Sequence, residues 1–198
     1  MNPVFTIGHS DHAIDDFIGM LARHGVSALA DVRAAPYSRH QAQYCKAPLM
    51  AALRAAGLSY VYLGEQLGGR PSARLRAQMQ GTGYAAMAAT QAFKDGIGRI
   101  LKGRAQHRIA LMCAERDPID CHRALLVGRA LAASQADLVH IHANGDGETH
   151  AALESRLLAA AGRGDGADLF SSPAELLDLA YLRQERRASL TDEEGGDS

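Results

Sequence analysis

"RIALMCAERDPIDCHRALLVGRAL", residues 108–131, changes its hydrophobic period midway. Residues 108–115 form a short apolar run bounded by polar side chains, the pattern of a buried strand. Leu125, Leu126 and Ala130 then recur at helical spacing, so the stretch reads as strand, turn and helix. The turn is crowded. Residues 113–123 carry two cysteines, a histidine, two arginines, a glutamate and two aspartates.

"VFTIGHS" (4–10), "SALADVR" (27–33), "LSYVYL" (58–63) and "DLVHIH" (137–142) share the strand pattern. Helical stripes separate them: Ile14, Phe17, Ile18 and Leu21; Leu49, Leu53 and Ala56; Phe93, Ile97, Ile100 and Leu101. Gly25 and Gly57 stand where a helix should stop, each just before the next strand. Strand and helix thus alternate five times. This predicts a single α/β domain over residues 1–187, with a mostly parallel five-stranded sheet and helices on both faces.

Beyond residue 142, a helix is expected over 150–161, then the glycine-rich loop "GRGDGAD" (162–168). A last helix should start with Ser172 as N-cap, Pro173 at its first position and Glu175 closing a capping box; Leu176, Leu177, Ala180 and Tyr181 would be its buried stripe. Residues 188–198 are acidic with no apolar anchor after residue 190, and a disordered tail is expected there.

The chain has 198 residues, 47% of them hydrophobic, enough to bury a core. A net charge of −1 supplies no global positive field, so duplex nucleic acid is not a favoured partner. Three cysteines and an N-terminus without signal-peptide character point to a reduced, cytoplasmic protein. No apolar run approaches the roughly 20 residues that span a bilayer. The sequence fixes no oligomeric state.

In an open parallel sheet, chemistry gathers beyond the carboxyl ends of the strands. The unusual polar residues fall there: His9 and Ser10 after strand one; Asp31, Arg33, Ser38 and Arg39 after strand two; Gly68, Gly69 and Arg70 after strand three; Cys113 and Glu115 after strand four. Each also has a plainer reading. His9 could hydrogen-bond a loop carbonyl, Asp31 could accept backbone N–H groups or pair with Arg33, and the two glycines could serve a tight turn. His140 and His142 would share one side of strand five.

Four chemistries compete for the turn. A metal site is disfavoured because seven residues separate Cys113 from Cys121, and Cys121 and His122 would diverge by about 100° on a helix. A thiol nucleophile at Cys121 would profit from a helix N-terminus and Arg123, both of which lower a thiol pKa. Cys113 reads as core. Glu115, at a strand tip among arginines, suits acid/base work. An anion cradle is the fourth reading: Arg33, Arg39, Lys46, Arg70 and Arg123 outnumber Asp31, Glu65 and Glu115.

"TIGHS" (6–10), "DVRAAPYSR" (31–39), "LGEQLGGR" (63–70), "YAAM" (84–87), "MCAERDPIDCHR" (112–123), "HIH" (140–142) and "DLF…ELLDLAYLRQ" near the C-terminus, in this order, resemble the DUF488 family of α/β proteins. The resemblance covers residues 4–187 and implies an α/β fold, but no reaction. It marks His9, Ser10, Asp31, Arg33, Pro36, Ser38, Arg39, Gly68, Gly69, Cys113, Glu115, Cys121, His122 and Arg123 as family positions. This chain departs from the family in having Tyr44 and Cys45 where relatives often read Phe and Asn, and Ile119 where some carry Trp.

The expectation is an enzyme, a hydrolase or transferase, acting on a small anionic or nucleotide-like ligand. Glu115 and Asp31 would do the acid/base work, with Cys121 and His9 as further catalytic candidates. Ser10, Arg33, Ser38, Arg39, Gly68, Gly69, Arg70, His122 and Arg123 would bind. No cofactor and no metal are expected, since neither a dinucleotide fingerprint nor a Walker sequence occurs. Thiol transfer through Cys121 and a non-catalytic binding module are the alternatives.

Overall fold

A computed structural model describes residues 1–161 and 171–194, and the side chains up to residue 188. The five expected strands form as β1 (Val4–Gly8), β2 (Ala28–Asp31), β3 (Ser59–Tyr62), β4 (Ile109–Cys113) and β5 (Leu138–Ile141). They are parallel, in the order β3-β2-β4-β1-β5. A sixth strand, β6 (Gly147–Thr149), adds antiparallel to β5. It left little trace in the sequence, because "GET" has neither alternation nor β-branched bulk beyond Thr149. The turn before it does carry a signal: Gly145 sits at φ +84°, a left-handed conformation that favours glycine.

The helices are α1 (Ile14–Arg23), α2 (Lys46–Ala55), α3 (Gly64–Leu67), α4 (Ala73–Arg76), α5 (Gly83–Ala89), α6 (Gln91–Gly103), α7 (Arg129–Ala133), α8 (His150–Ala161) and α9 (Pro173–Glu194). A wide-turn π segment, Arg123–Gly128, leads into α7. The predicted stops hold: Gly25 and Gly57 follow α1 and α2 at φ +63° and +74°.

Strand alternation decides which helix lies on which face. Phe5, Ile7, Leu29, Ala110 and Met112 project to one side, against Phe17 and Leu21 of α1 and Leu49 and Leu53 of α2. Val4, Ala28, Ala30, Ile109 and Leu111 project to the other, against Phe93, Ile97 and Ile100 of α6 and Leu126, Val127 and Leu131. Both faces are therefore covered, as an all-parallel core requires. The chain leaves β1 and β2 over the first face and leaves β4 over the second. The loops consequently part at the carboxyl end of β4, where an open α/β sheet offers its crevice.

A further layer, α8 and α9, covers the segment after β4: Leu157, Ala180 and Tyr181 pack on Ile119 and Leu125. The capping box forms as predicted. Ser172 N donates to Glu175 Oε2 at 2.7 Å, and Glu175 N donates to Ser172 Oγ at 3.3 Å. Helix α9 runs to Glu194, across residue 187, and Ala188 on it is buried. The loop 162–168 and residues 195–198 lie outside the described residues. Among the described residues, no helix is long and apolar enough to cross a membrane.

Candidate functional site

Loops after β2, α3 and β4 enclose a cavity of about 240 Å³. The β2 loop supplies Arg33, Ala34, Ala35 and Tyr37; Gly69 and Arg70 come from the loop after α3; Ala114, Glu115 and His122 form the wall beyond β4. Of the residues expected to bind or react, Arg33, Gly69, Arg70, Glu115 and His122 meet here. His9, Ser10, Asp31, Ser38, Arg39, Gly68, Cys121 and Arg123 are not among the lining residues.

The glycines permit the approach. A Cβ on Gly69 would stand 2.7 Å from His122 Cγ, and one on Gly8 would stand 1.8 Å from the Glu115 carbonyl oxygen. Only a residue without a side chain lets β1 and the α3 loop come this close. Gly68 has a similar constraint, against the Gly64 carbonyl oxygen at 2.5 Å.

Asp31 was expected to act as acid or base; the structure uses it up as an acceptor. Arg33 Nη2 donates to Oδ2 at 2.7 Å, while Arg33 Nε and the Arg33 backbone N–H donate to Oδ1 at 2.9 and 3.1 Å. Tyr60 Oη adds a fourth bond at 2.9 Å. A carboxylate has about four acceptor positions, and all are taken. Asp31 is fully buried and does not line the cavity, and this ion pair fixes Arg33.

Arg33 Nη1 turns to His9 Nε2, 3.4 Å away. His9 Nδ1–H donates to the Ser10 carbonyl at 2.9 Å, which leaves Nε2 as the acceptor. Burial lowers the His9 pKa to about 4, and the ring stacks on Tyr44 with centroids 4.2 Å apart. A neutral imidazole thus braces the Arg33 guanidinium from behind. Ser10 adopts φ 45°, a left-handed conformation that among the described non-glycine residues only Gln135 shares, and its hydroxyl donates to Asp11. Ser38 Oγ accepts from the Gln41 N–H at 3.2 Å and shapes the β2 loop; Arg39 lies exposed on that loop.

Behind Glu115 runs a line of four groups. Arg123 Nη1 lies 2.6 Å from Cys113 Sγ, Cys113 Sγ lies 2.8 Å from Cys121 Sγ, and Cys121 Sγ lies 2.8 Å from Glu115 Oε2. Read with every donor donating, it passes from guanidinium through two thiols to carboxylate. Arg123 also donates to the carbonyls of Glu115 at 2.7 Å and Arg116 at 3.1 Å. It is fully buried and does not line the cavity, and it organises the turn from inside.

Cys121 overturns a second expectation. It is extended, at φ −135° and ψ 140°, closing the 3-10 turn Pro118–Asp120 ahead of the helix instead of lying in the helix's first turn. Its sulfur accepts from the Arg123 N–H at 3.4 Å, yet burial dominates and raises its pKa. The thiol is 1% exposed, and burial raises Cys113 as well. Burial alone would also raise the Glu115 carboxyl, but His122 and the hydrogen bonding of the thiol cluster, with Cys121 as the direct donor, outweigh it and bring it to about 2. Glu115 is therefore a carboxylate at neutral pH.

The extended Cys121 also changes the direction of its neighbour. His122 Nε2–H donates to the Val32 carbonyl at 2.9 Å, while Nδ1 faces Cys121 Sγ at 3.6 Å. Two residues were missed in the sequence: Tyr37 at the cavity rim, 67% exposed, and Tyr60, which does not line the cavity but bonds to Asp31. The "PYSR" run hints at the first; nothing local marks the second.

His140 and His142 stand away from this cavity. Thr6 Oγ1 meets His140 Nδ1 at 2.8 Å, His140 Nε2 meets His150 Nδ1 at 2.9 Å, and His150 Nε2 meets Tyr181 Oη at 3.1 Å. Tyr181 then donates to Glu154 at 3.0 Å, so the row fastens α8 and α9 to the sheet. His142 pairs with Glu148 at 3.0 Å.

The family model of DUF488, described as a domain of unknown function, matches residues 13–130. The chain belongs to the DUF488 family. The match contains the β2 loop, the α3 loop and the whole 113–123 turn, so every residue lining the cavity is part of the DUF488 segment. Strand β1, with Gly8 and His9, and everything after α7 begins lie outside it. No curated protein matches this DUF488 chain.

Proposed function

We propose that this DUF488 protein is a hydrolase or transferase acting on a small anionic or nucleotide-like ligand in the cavity between the β2, α3 and β4 loops. The observation that carries the reading is the convergence of Arg33, Arg70, Glu115 and His122, from separate stretches of chain, on one volume of about 240 Å³. That size fits a small ligand or part of a larger one. Arg33, pre-oriented by Asp31 and His9, and Arg70 bind the anion. Glu115, ionised and facing the same space, serves as base or orienting acceptor for an attacking hydroxyl or water. Three free cysteines fit a reducing, cytoplasmic setting.

The test is a panel of phosphate monoesters, nucleotides and carboxylate esters, read by turnover and by ligand-induced rise in melting temperature. Glu115→Gln should cut kcat by roughly a hundredfold or more while a ligand still binds. Arg70→Ala should weaken that binding. If Glu115→Gln keeps full turnover, or Cys121→Ser alone abolishes it, the acid/base reading fails, the second outcome in favour of thiol transfer. If no compound turns over but Arg70→Ala removes binding, the protein is a binding module.

A further inference from the structure

The separation of Cys113 and Cys121 along the chain is closed in space, because the turn between them folds back on β4. Both are free thiols, and their sulfurs lie within 4.8 Å of each other and of a Glu115 carboxylate oxygen. His122 Nδ1 lies 3.6 Å from Cys121 Sγ. Its other nitrogen donates to the Val32 carbonyl, the outer contact that holds a histidine in the tautomer and orientation of a metal ligand.

We infer that Cys113, Cys121 and Glu115 form a binding site for one thiophilic divalent cation, with zinc the best fit and His122, whose Nδ1 faces Cys121 Sγ, the neighbouring group nearest a fourth position. Two sulfurs and one carboxylate oxygen, with an imidazole nitrogen beside one of the sulfurs, are a donor set suited to zinc and poor for calcium or magnesium.

Charge supports the assignment. Counting Arg123, Glu115 and the two thiols alone, the buried cluster is neutral with both thiols protonated. Binding exchanges two thiol protons for one ion: M²⁺ + 2 R–SH → M(SR)₂ + 2 H⁺, with no change of oxidation state. Two thiolates and the Glu115 carboxylate then balance the ion and Arg123, and the cluster is neutral again. Arg123, whose Nη1 already points at Cys113 Sγ, becomes a donor to a coordinated thiolate, a role a fully buried guanidinium fills better than donation to a neutral thiol. Bonds of about 2.3 Å hold two sulfurs about 3.8 Å apart in a tetrahedral shell. From 2.8 Å the pair opens by about 1 Å as the ion enters.

The ion would sit behind the cavity wall, since Glu115 and His122 line the cavity and the two sulfurs do not. The ion and the proposed activity share Glu115 and His122, yet an ion here can knit β4 to the following helix whether or not a ligand is turned over.

The experiment titrates the reduced, chelator-treated full chain with cobalt(II) and then displaces it with zinc. The expected result is close to one ion per chain, sulfur-to-cobalt charge-transfer absorption with the visible bands of a tetrahedral ion, and release of two protons per ion. Cys45→Ser should behave as the wild type; Cys121→Ser should lose the charge-transfer intensity or the ion. Should Cys121→Ser fail to fold, Glu115→Gln carries the test, with affinity lowered by roughly tenfold or more. Substoichiometric binding, a spectrum without sulfur absorption, a reduced chain that stays ion-free because only a Cys113–Cys121 disulfide forms on standing, or a spectrum and affinity indifferent to both variants would overturn it. Arg70→Ala separates the two ideas: it should impair ligand binding in the cavity and leave cobalt binding unchanged.

Discussion

Asp31 and Arg33 are joined by two parallel bonds, Oδ2 to Nη2 at 2.7 Å and Oδ1 to Nε at 2.9 Å, with both side chains buried. Removing one partner of such a pair strands the other charge out of water. Asp31→Asn should therefore lower the unfolding free energy by about 3–5 kcal/mol in urea melts. Tyr60→Phe removes a single hydrogen bond to the same carboxylate and should cost about 1–2 kcal/mol. Equal losses in the two variants would contradict the assignment of Asp31 as the structural anchor of Arg33.

The two glycines at the site should separate by what they press against. Gly8→Ala drives a methyl into the backbone carbonyl of Glu115, which has little freedom to retreat, and should destabilise by about 2 kcal/mol or more. Gly69→Ala meets the His122 ring, which can rotate only by giving up its bond to Val32. Its signature should be altered ligand or cobalt binding in a chain whose melting temperature falls less than that of Gly8→Ala.

Acid should weaken the fold early. Burial lowers the pKa of His9 to about 4, and burial is also the first cause of the lowering at His140 and His150. Each folded value lies below the unfolded value near 6.5. In that interval the unfolded chain binds protons that the folded chain refuses, so stability is full above about pH 6.5 and falls as the pH drops. The slope can reach about 1.4 kcal/mol per pH unit for each histidine. Chemical denaturation at a series of pH values would measure it, and His140→Gln should make the curve shallower. A stability that is flat from neutrality to about pH 5 would count against three buried neutral histidines.

Thiol reactivity should follow burial. Cys45 is half-buried, whereas Cys113 and Cys121 are enclosed with raised pKa values. A disulfide reagent added to the native protein should modify Cys45 first, and the other two only at the rate of unfolding. Fast labelling of Cys121 in the native chain would reopen the case for a thiol nucleophile.

The parallel core was readable because its strands are short apolar runs and its helices carry stripes of Leu, Ile and Phe that end at Gly25 and Gly57. Strand β6 was not, since it is held by β5 and a turn rather than by its own residues. At the site, position along the sheet was legible: strand ends do converge, and Arg33, Arg70 and Glu115 do face one space. Local conformation was not. Treating Cys121 as helical pointed it away from Cys113 and gave its thiol the benefit of the helix dipole, whereas an extended Cys121 turns inward and is sealed. Tertiary neighbours also reassigned Asp31 and Arg123, for no sequence pattern tells a guanidinium that grips a ligand from one that grips its own chain.

The strand order sets the smallest piece of this chain that can stand alone. The family segment, residues 13–130, contains β2, β3 and β4 but omits β1, which lies between β4 and β5 at the middle of the sheet. Cut to that segment, the protein would present the long apolar edge of β4 to solvent, an invitation to pair with other chains. The matched segment is thus less than what folds, and any dissection must carry the first strand, whose Gly8 and His9 also support the cavity from outside the matched region.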